Sequence, residues 1–393
     1  MKCILRFFTI TLCCAAACVV TSCHSDEPAP VSDTSRTVLV YMVATNNLGS
    51  NGYDEADIAE MQTAIAAGAL GKGRWIVYHA PSDKSAPMLT EYSADGIKLL
   101  KSYPEGVVSV SAEQLGAVID DVKSFAPADN YGLVMWSHAT GWTQDGIDEP
   151  DRNAAPQMAT PLSFGSDFGK KMNVTTLADV LEGRGFEYVY FDACYMATVE
   201  VAYQLRHAVR YVVGSPSELP VNGMRYDLNM AALIDGSENA LIQAARNTYN
   251  HYNSQQLAED RTCTMAVIRT DALDELASAT AAVYDLTPLP HPGENVTNYR
   301  ARSRQGYAID FGEYVNALAE SENIDNGIQS RFNTAIGKAV VYKAATEKIW
   351  DLYPVYSTSG LATYVFNNAD DFDVMGYDEL AWAQDVVEPH HLH

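Results

Sequence analysis

Two apolar segments of the sequence each end in a side chain that could take part in covalent catalysis. YGLVMWSH ends at His138, and YVYFDAC ends at Cys194. A cysteine attacks as the thiolate, and histidine is the group that most often removes the thiol proton. If the two segments are neighbouring parallel strands, both side chains project into one cleft at the carboxyl edge of a sheet. The pair predicts a dyad with Cys194 as the nucleophile and His138 as the general base.

Each of these residues, taken alone, also has an ordinary structural explanation. A lone cysteine is more often a small buried hydrophobic residue, and a histidine at a strand end is more often structural. His79, at the end of RWIVYHA, is a rival base from another strand. A helix predicted to start just after Cys194 would favour the thiolate through its positive end. The equivalent positions of Cys194 and His138 make the dyad the preferred hypothesis.

The first 23 residues have the pattern of an export signal. Lys2 and Arg6 precede a short apolar run that ends in VTSC, which resembles the lipobox of bacterial lipoproteins. The resemblance implies cleavage before Cys23, a lipid on that residue, and a location in the cell envelope, at the outer membrane or the cell surface. Ordinary secretion with a cut nearby is the alternative. Residues 24–36 are polar and suit a flexible tether.

Only two of the seven cysteines, Cys194 and Cys263, follow the predicted lipid-carrying residue. An exported chain with two cysteines has no disulfide framework, and Cys263 lies in a β-like run that suits an inert buried thiol. The net charge of −24 would repel phosphate backbones, so a nucleic-acid partner is not expected. No zinc spacing or EF-hand loop occurs in the sequence, and no cofactor is predicted; calcium is an option without a motif.

Alternating β-rich and amphipathic segments from residue 37 onwards predict an α/β fold with a mostly parallel sheet. Residues 139–173 predict a long loop, and loops of that length are usually functional. The predicted strands are 37–44, 74–80, 131–138, 188–194, 211–218 and 360–366, with a hairpin in 81–106. The predicted helices start near residue 58 and cover 111–125, 175–185, 196–208, 228–256, 271–286, 311–321 and 325–348.

Three segments resemble the clostripain family of cysteine peptidases, relatives of caspases, gingipains and legumains. They are TVLVYMVATNNL, LVMWSHATGW and FDACYMATVEVAY, and weaker similarity extends the match over roughly 37–390. The resemblance implies a caspase-like three-layer sandwich with a helix-rich C-terminal subdomain. We expect a catalytic domain at 37–256 and that subdomain, packed on it, at 257–393. It also implies a thiol endopeptidase acting on peptides or proteins.

The resemblance assigns further roles around the dyad. The backbone N–H groups of Ala139 and Cys194 would form the oxyanion hole. Ala139 departs from the family, which has glycine after the histidine. A glycine with positive φ there would make alanine strained, which leaves open an impaired relative that only binds peptides or partners.

Acidic residues near the nucleophile imply the substrate. Asp192 matches a family acid that recognises a basic residue before the cut bond, arginine or possibly lysine; it could instead cap the following helix. Glu218 and Asp227 are further candidate acids for the same pocket. Family members often cut themselves after a basic residue between the dyad strands, which here offers Arg152, Lys170 and Lys171, with Arg152 preferred.

Overall fold

The computed structural model describes residues 36–142, 164–287, 296–299, 308–365 and 376–388. Within these ranges, nine strands form one sheet in the order β12-β10-β9-β8-β5-β1-β2-β3-β4, and short strands form three two-stranded pairs. The strands are β1 Thr37–Val43, β2 Arg74–Ala80, β3 Met88–Ser93, β4 Gly96–Ser102, β5 Tyr131–Trp136, β6 Phe164–Asp167, β7 Lys170–Met172, β8 Phe186–Asp192, β9 Tyr211–Gly214, β10 Thr264–Arg269, β11 Ile309–Asp310, β12 Val340–Ala345, β13 Lys348–Ile349, β14 Tyr353–Pro354 and β15 Ala362–Thr363.

The centre of the sheet is parallel and its margins are antiparallel. Strands β9, β8, β5, β1 and β2 pair in parallel, whereas β3 and β4 on one side and β10 and β12 on the other pair antiparallel. Strands β5 and β8 are direct neighbours, and Trp136 pairs with Asp192 at their carboxyl ends. The predicted fold class, a largely parallel sheet flanked by helices, is confirmed.

Helices cover both faces of the sheet because alternate residues of the buried strands face opposite cores. Leu39 and Tyr41 of β1 join the core under α3, α4, α5, α8, α9 and α10, while Val38 and Val40 join the core under α2, α6 and α7. The helices are α1 Asn47–Ser50, α2 Tyr53–Ala66, α3 Ala112–Phe125, α4 Val174–Leu181, α5 Val199–Gln204, α6 Tyr226–Asp235, α7 Glu238–Asn253, α8 Leu273–Tyr284, α9 Phe311–Ser321 and α10 Asn326–Ala339.

Helix α3 shows how local sequence determines an element. Ser111 is the N-cap, and its hydroxyl accepts a hydrogen bond from the N–H of Gln114 at 3.2 Å. Leu115, Val118 and Val122 recur at helical spacing and are fully buried. Both the predicted cap and the predicted face are confirmed.

Four predicted elements away from the segment after Cys194 differ from the structure. The helix expected over 325–348 ends at Ala339, because the β-branched and aromatic residues that follow pair with β10 as strand β12. The helix expected over 228–256 is two helices, broken at Gly236, whose φ of 60° ends α6. The long loop expected over 139–173 contains the hairpin β6–β7. The strand expected over 360–366 shortens to β15.

The C-terminal segment is joined to the turn that follows Cys194. The N–H of Ala362 donates to the carbonyl of Ala197 at 3.0 Å. Glu200 of α5 is fully buried and accepts hydrogen bonds from the hydroxyl of Thr363 at 2.8 Å and the N–H of Tyr364 at 3.0 Å. Burial raises the pKa of Glu200 above its ordinary value. These hydrogen bonds join residues 362–364 to the turn after Cys194 and to the start of α5.

Two predictions fall outside the described residues. Cys23 and the export signal precede residue 36, and Arg152 lies between residues 142 and 164. Among the helices of the described ranges, none is both long and apolar enough to span a bilayer. The lipid anchor, the cell-envelope location and the cut after Arg152 stay predictions.

Candidate active site

The two dyad residues stand at matching positions on adjacent strands. His138 and Cys194 each lie two residues beyond the paired Trp136 and Asp192. Both line one cavity of about 280 Å³, here called the dyad cavity, together with Ala139, Asp192 and Glu218. The structure thus brings together five of the residues singled out in the sequence. His79 does not line this cavity; its Nε2 pairs with Asp54 Oδ2 at 2.7 Å.

His138 is oriented by an asparagine at the start of α1, the short helix that follows β1. Its Nε2 lies 2.6 Å from Asn47 Oδ1, and an amide oxygen can only accept. In the neutral imidazole Nε2 therefore carries the hydrogen, and Nδ1 carries the lone pair that can take a proton. The sequence analysis missed Asn47. Its position in TNNL could have pointed to it, because this segment follows β1, the strand that pairs with β5.

Cys194 sits in an irregular turn. Its Sγ accepts a hydrogen bond from the N–H of Leu219 at 3.4 Å, and as a thiol it also donates to the carbonyl of Leu219 at 3.8 Å. Tyr195, the next residue, has a φ of 60°. Its N–H donates to Ser217 at 2.9 Å, and the N–H of Ala197 donates to Ser215 at 3.0 Å. Residues 215 and 217, which follow β9, therefore stabilise the turn that carries Cys194.

The prediction that a helix begins just after Cys194 is wrong, because the helix begins later. Helix α5 begins at Val199, and the hydroxyl of Thr198 caps it by accepting from the N–H of Val201 at 3.2 Å. Tyr195 has a φ of 60°, which lies outside the right-handed helical region, and the N–H groups of Tyr195 and Ala197 donate to residues 217 and 215. A helix end at Cys194 is therefore not available to favour the thiolate. The alternative of Asp192 as the cap of this helix is also wrong.

Ala139 is accommodated without backbone strain. It is not among the residues with positive φ, and its side chain is buried in the core. It forms an isolated β-bridge with Phe164, in which the N–H of Gly165 donates to the carbonyl of His138 at 2.9 Å. The position that does need glycine is Gly141, with a φ of 74°, where a Cβ would meet the Tyr195 carbonyl at 2.9 Å. Backbone strain at Ala139 therefore gives no reason to suspect an impaired relative.

We expect Ala139→Gly to change kcat/KM for a peptide substrate by less than about threefold and to lower stability by about 0.5–1 kcal/mol, since glycine adds freedom to the unfolded chain. Gly141→Ala is the matched comparison and should lower kcat/KM well beyond that. Steady-state kinetics and thermal unfolding of the two variants measure both effects. A large gain in activity from Ala139→Gly would mean that the alanine does impair the natural protein.

Asp192 is a buried carboxyl that receives few hydrogen bonds. Oδ1 accepts from the N–H of Met224 at 2.9 Å; Oδ2 has no partner in hydrogen-bonding geometry among the described residues, and the nearby hydroxyl of Tyr226 acts against burial by lowering the pKa of the carboxyl. Gly223, with a φ of 57°, lets the backbone pass close by; a Cβ there would meet Oδ1 at 2.5 Å. The carboxyl also lines the dyad cavity. It is placed to receive a hydrogen-bond donor from a bound molecule.

A second buried carboxyl, Asp57 of α2, accompanies Asp192 and was not foreseen. Its Oδ2 accepts from Trp136 Nε1 at 2.6 Å. Burial raises the pKa of Asp192 to about 7. Burial, with the charge of Asp192, raises the pKa of Asp57 to about 9. Neither carboxyl has an ion-pair partner in the described part of the chain. A cation entering beside them would favour their charged forms.

The remaining candidates differ in position. Glu218 lines the dyad cavity, but its carboxylate accepts from the hydroxyl of Tyr195 at 3.0 Å and from the indole N–H of Trp350. Asp227 is not part of the cavity lining; it pairs with Arg225 at 2.6 Å. Lys170 and Lys171 belong to β7, and Lys170 is exposed. No group of three or more His, Cys, Asp or Glu residues suited to a metal occurs within the described ranges.

Comparison with known proteins agrees with this geometry. The family model of the clostripain family, peptidase C11, matches residues 40–373. The chain is similar to the structure of an inactive zymogen C11 protease from Parabacteroides distasonis, with 30% identity, a TM-score of 0.75, and coverage of 91% of this chain and 99% of that one.

A second solved structure shares the fold. It is a secreted C11 cysteine protease from Bacteroides thetaiotaomicron in complex with an irreversible peptide inhibitor. It is 23% identical, with a TM-score of 0.71, and 90% of this chain and 99% of that one are covered. The search of curated proteins gives no match.

Proposed function

Because the chain belongs to the clostripain family of C11 cysteine proteases, we propose that it is an endopeptidase that cleaves after basic residues, arginine above all. The observation that carries the proposal is the lining of the dyad cavity. Cys194, His138 and the buried Asp192 share it, and Asp192 Oδ2 makes no hydrogen bond within the described residues. The proposed nucleophile, the proposed base and a carboxyl that could bind a basic side chain thus line the same cavity.

The proposed reaction follows from the two side chains. Nδ1 of His138 takes the proton of the Cys194 thiol, and the thiolate attacks the carbonyl carbon of the substrate. The N–H groups of Ala139 and Cys194 hold the oxyanion of the tetrahedral intermediate. The imidazolium then gives its proton to the leaving amine, and a thioester remains on Cys194. Water, deprotonated by His138, hydrolyses the thioester and releases the free enzyme.

The buried carboxyls account for the proposed preference. A guanidinium donates to carboxylates through a planar fork, so a basic side chain entering the cavity would meet Asp192 directly. Asp57 is also buried and interacts electrostatically with Asp192, so the attraction of a cation to the two carboxyls would act in a medium of low dielectric. A neutral side chain would offer Asp192 no cation to pair with, so substrates with a neutral residue there would lack this attraction.

A profile of the residue before the cut bond tests the function. Purified protein lacking the signal segment is incubated with fluorogenic peptides that differ only in that residue. We expect hydrolysis of the arginine peptide to be fastest, the lysine peptide next, and neutral or acidic peptides at least about a hundredfold slower. The Cys194→Ala protein is the control for contaminating peptidases. A preference for neutral or acidic residues would reject the proposed specificity.

A further inference from the structure

Trp350 occupies an unusual backbone conformation. It and Asp351 have φ values of 55° and 56°, and they form the turn between β13 and β14. The N–H of Leu352 closes the turn by donating to the carbonyl of Ile349 at 3.1 Å. Two consecutive left-handed residues suit glycine or asparagine, whereas an indole side chain there is costly. Such strain persists only where the surroundings enforce it, and it is concentrated at functional positions.

Two hydrogen bonds to residues outside the hairpin hold Trp350 in place. Its backbone N–H donates to Thr262 Oγ1 at 3.2 Å. Its indole N–H donates to the carboxylate of Glu218. The other oxygen of Glu218 accepts from Tyr195, the residue after the nucleophile. Glu218 therefore links the position of the indole to the turn that carries Cys194.

Trp350 is one of the residues that line the dyad cavity, together with Asp192 and Cys194. Trp350 and Pro220 also line a second cavity of about 380 Å³. The two residues therefore form a partition between the two spaces. A side chain that reaches Asp192 must lie in the space that this partition bounds.

We propose that Trp350 makes the dyad cavity select arginine over lysine, and that Glu218 is the residue that positions it. The inference rests on the proposed function and names the substrate within it. A planar guanidinium can stack on an aromatic face while its fork donates to a carboxylate. The ammonium group of lysine is compact and strongly hydrated, so contact with the indole would stabilise its binding less. Each oxygen of Glu218 already accepts one hydrogen bond, from Tyr195 or from Trp350, so we assign to this acid the role of positioning the indole.

The test measures binding, because binding does not require catalysis. Two peptide amides, identical except for a terminal arginine or lysine, are titrated calorimetrically into the Cys194→Ala protein. The arginine peptide should bind more tightly. Adding Trp350→Leu should reduce the ratio of the two affinities by about tenfold, whereas Trp350→Phe, which keeps an aromatic face, should reduce it less than about threefold.

Variants of Glu218 separate positioning from charge recognition. Glu218→Ala releases the indole and should lower the arginine-to-lysine ratio as Trp350→Leu does. Glu218→Gln keeps an acceptor for the indole N–H and should restore the ratio to within about threefold of that of the parent, although it carries no charge. Thermal unfolding of each variant verifies that it is folded.

Several results would overturn the inference. An unchanged ratio in Trp350→Leu would do so, as would parent protein that binds neither peptide or binds both equally. A loss of both affinities in Glu218→Gln as large as in Asp192→Asn would show that Glu218 recognises charge. The proposed function is judged separately by hydrolysis with intact Cys194. A protein that selects arginine without cleaving it would retain this inference and reject the peptidase.

Discussion

Replacing Cys194 by alanine is expected to lower kcat/KM for an arginine peptide by several orders of magnitude and to abolish labelling by a thiol reagent at neutral pH. His138→Ala should cost about as much, because a nucleophile and its base act as a unit and the loss of either disables both. Fluorogenic hydrolysis and mass spectrometry after iodoacetamide treatment measure the two effects. His138→Ala should also slow the labelling of Cys194, since the thiol would lose its base.

Cys263→Ala is the matched control for Cys194→Ala. Cys263 is fully buried, and burial raises the pKa of its thiol well above the ordinary value, so it should neither react nor contribute to hydrolysis. Activity and labelling should remain near those of the parent, after correction for a modest loss of stability from the smaller core side chain. Peptide hydrolysis that survives in Cys194→Ala would reject Cys194 as the nucleophile.

The second large effect is expected from Asp192→Asn. Removing one partner of a buried charge pair costs about 2–5 kcal/mol, so kcat/KM for the arginine peptide should fall by about 30- to 5000-fold. Peptides with a neutral residue at that position should lose much less. In the parent protein, binding of the arginine peptide should strengthen as pH rises through about 7, where Asp192 ionises. Equal losses for arginine and neutral peptides would mean that Asp192 has only a structural role.

The same substitution should act in the opposite direction on stability. The pKa of Asp192 is raised from 3.8 to about 7, so the native state holds a proton that the unfolded chain releases. The free energy of unfolding of the unliganded protein should therefore fall as pH rises from about 4 to about 7. Asp192→Asn removes this penalty and should raise Tm at pH 8 while leaving it nearly unchanged near pH 4. A lower Tm at pH 8 would contradict the assigned cause of the shift.

The sequence was informative where local pattern decides structure. The apolar runs that became β5 and β8 are continuous because parallel central strands are buried on both faces, so their ends located His138 and Cys194. The Ser111 cap was equally evident, since it depends on residues three positions apart. Asp192 was singled out through family resemblance, and its burial fits the placement expected for it.

Features that depend on distant contacts could not be predicted. The turn after Cys194 departs from a helix at Tyr195, whose φ is 60° and whose N–H donates to residue 217, far along the chain. Asp57 faces Asp192 only because α2 packs against the end of the sheet, and Trp350 reaches the cavity from a hairpin late in the chain. From sequence alone, the residues of β12 look like the last turns of helix α10; they form a strand because they pair with β10. None of these partners is close enough in sequence to leave a local pattern.

The attachment of β15 to the turn after Cys194 has a consequence for the order of events during synthesis. A nascent chain that has emerged only as far as α7 already contains His138, Asp192 and Cys194, yet it lacks the carbonyl and amide partners that Ala362 supplies to that turn. Thr363 and Tyr364, which bind the buried Glu200, arrive just as late. The turn that carries the nucleophile therefore gains its full set of hydrogen bonds only after residues 362–364 have been synthesised.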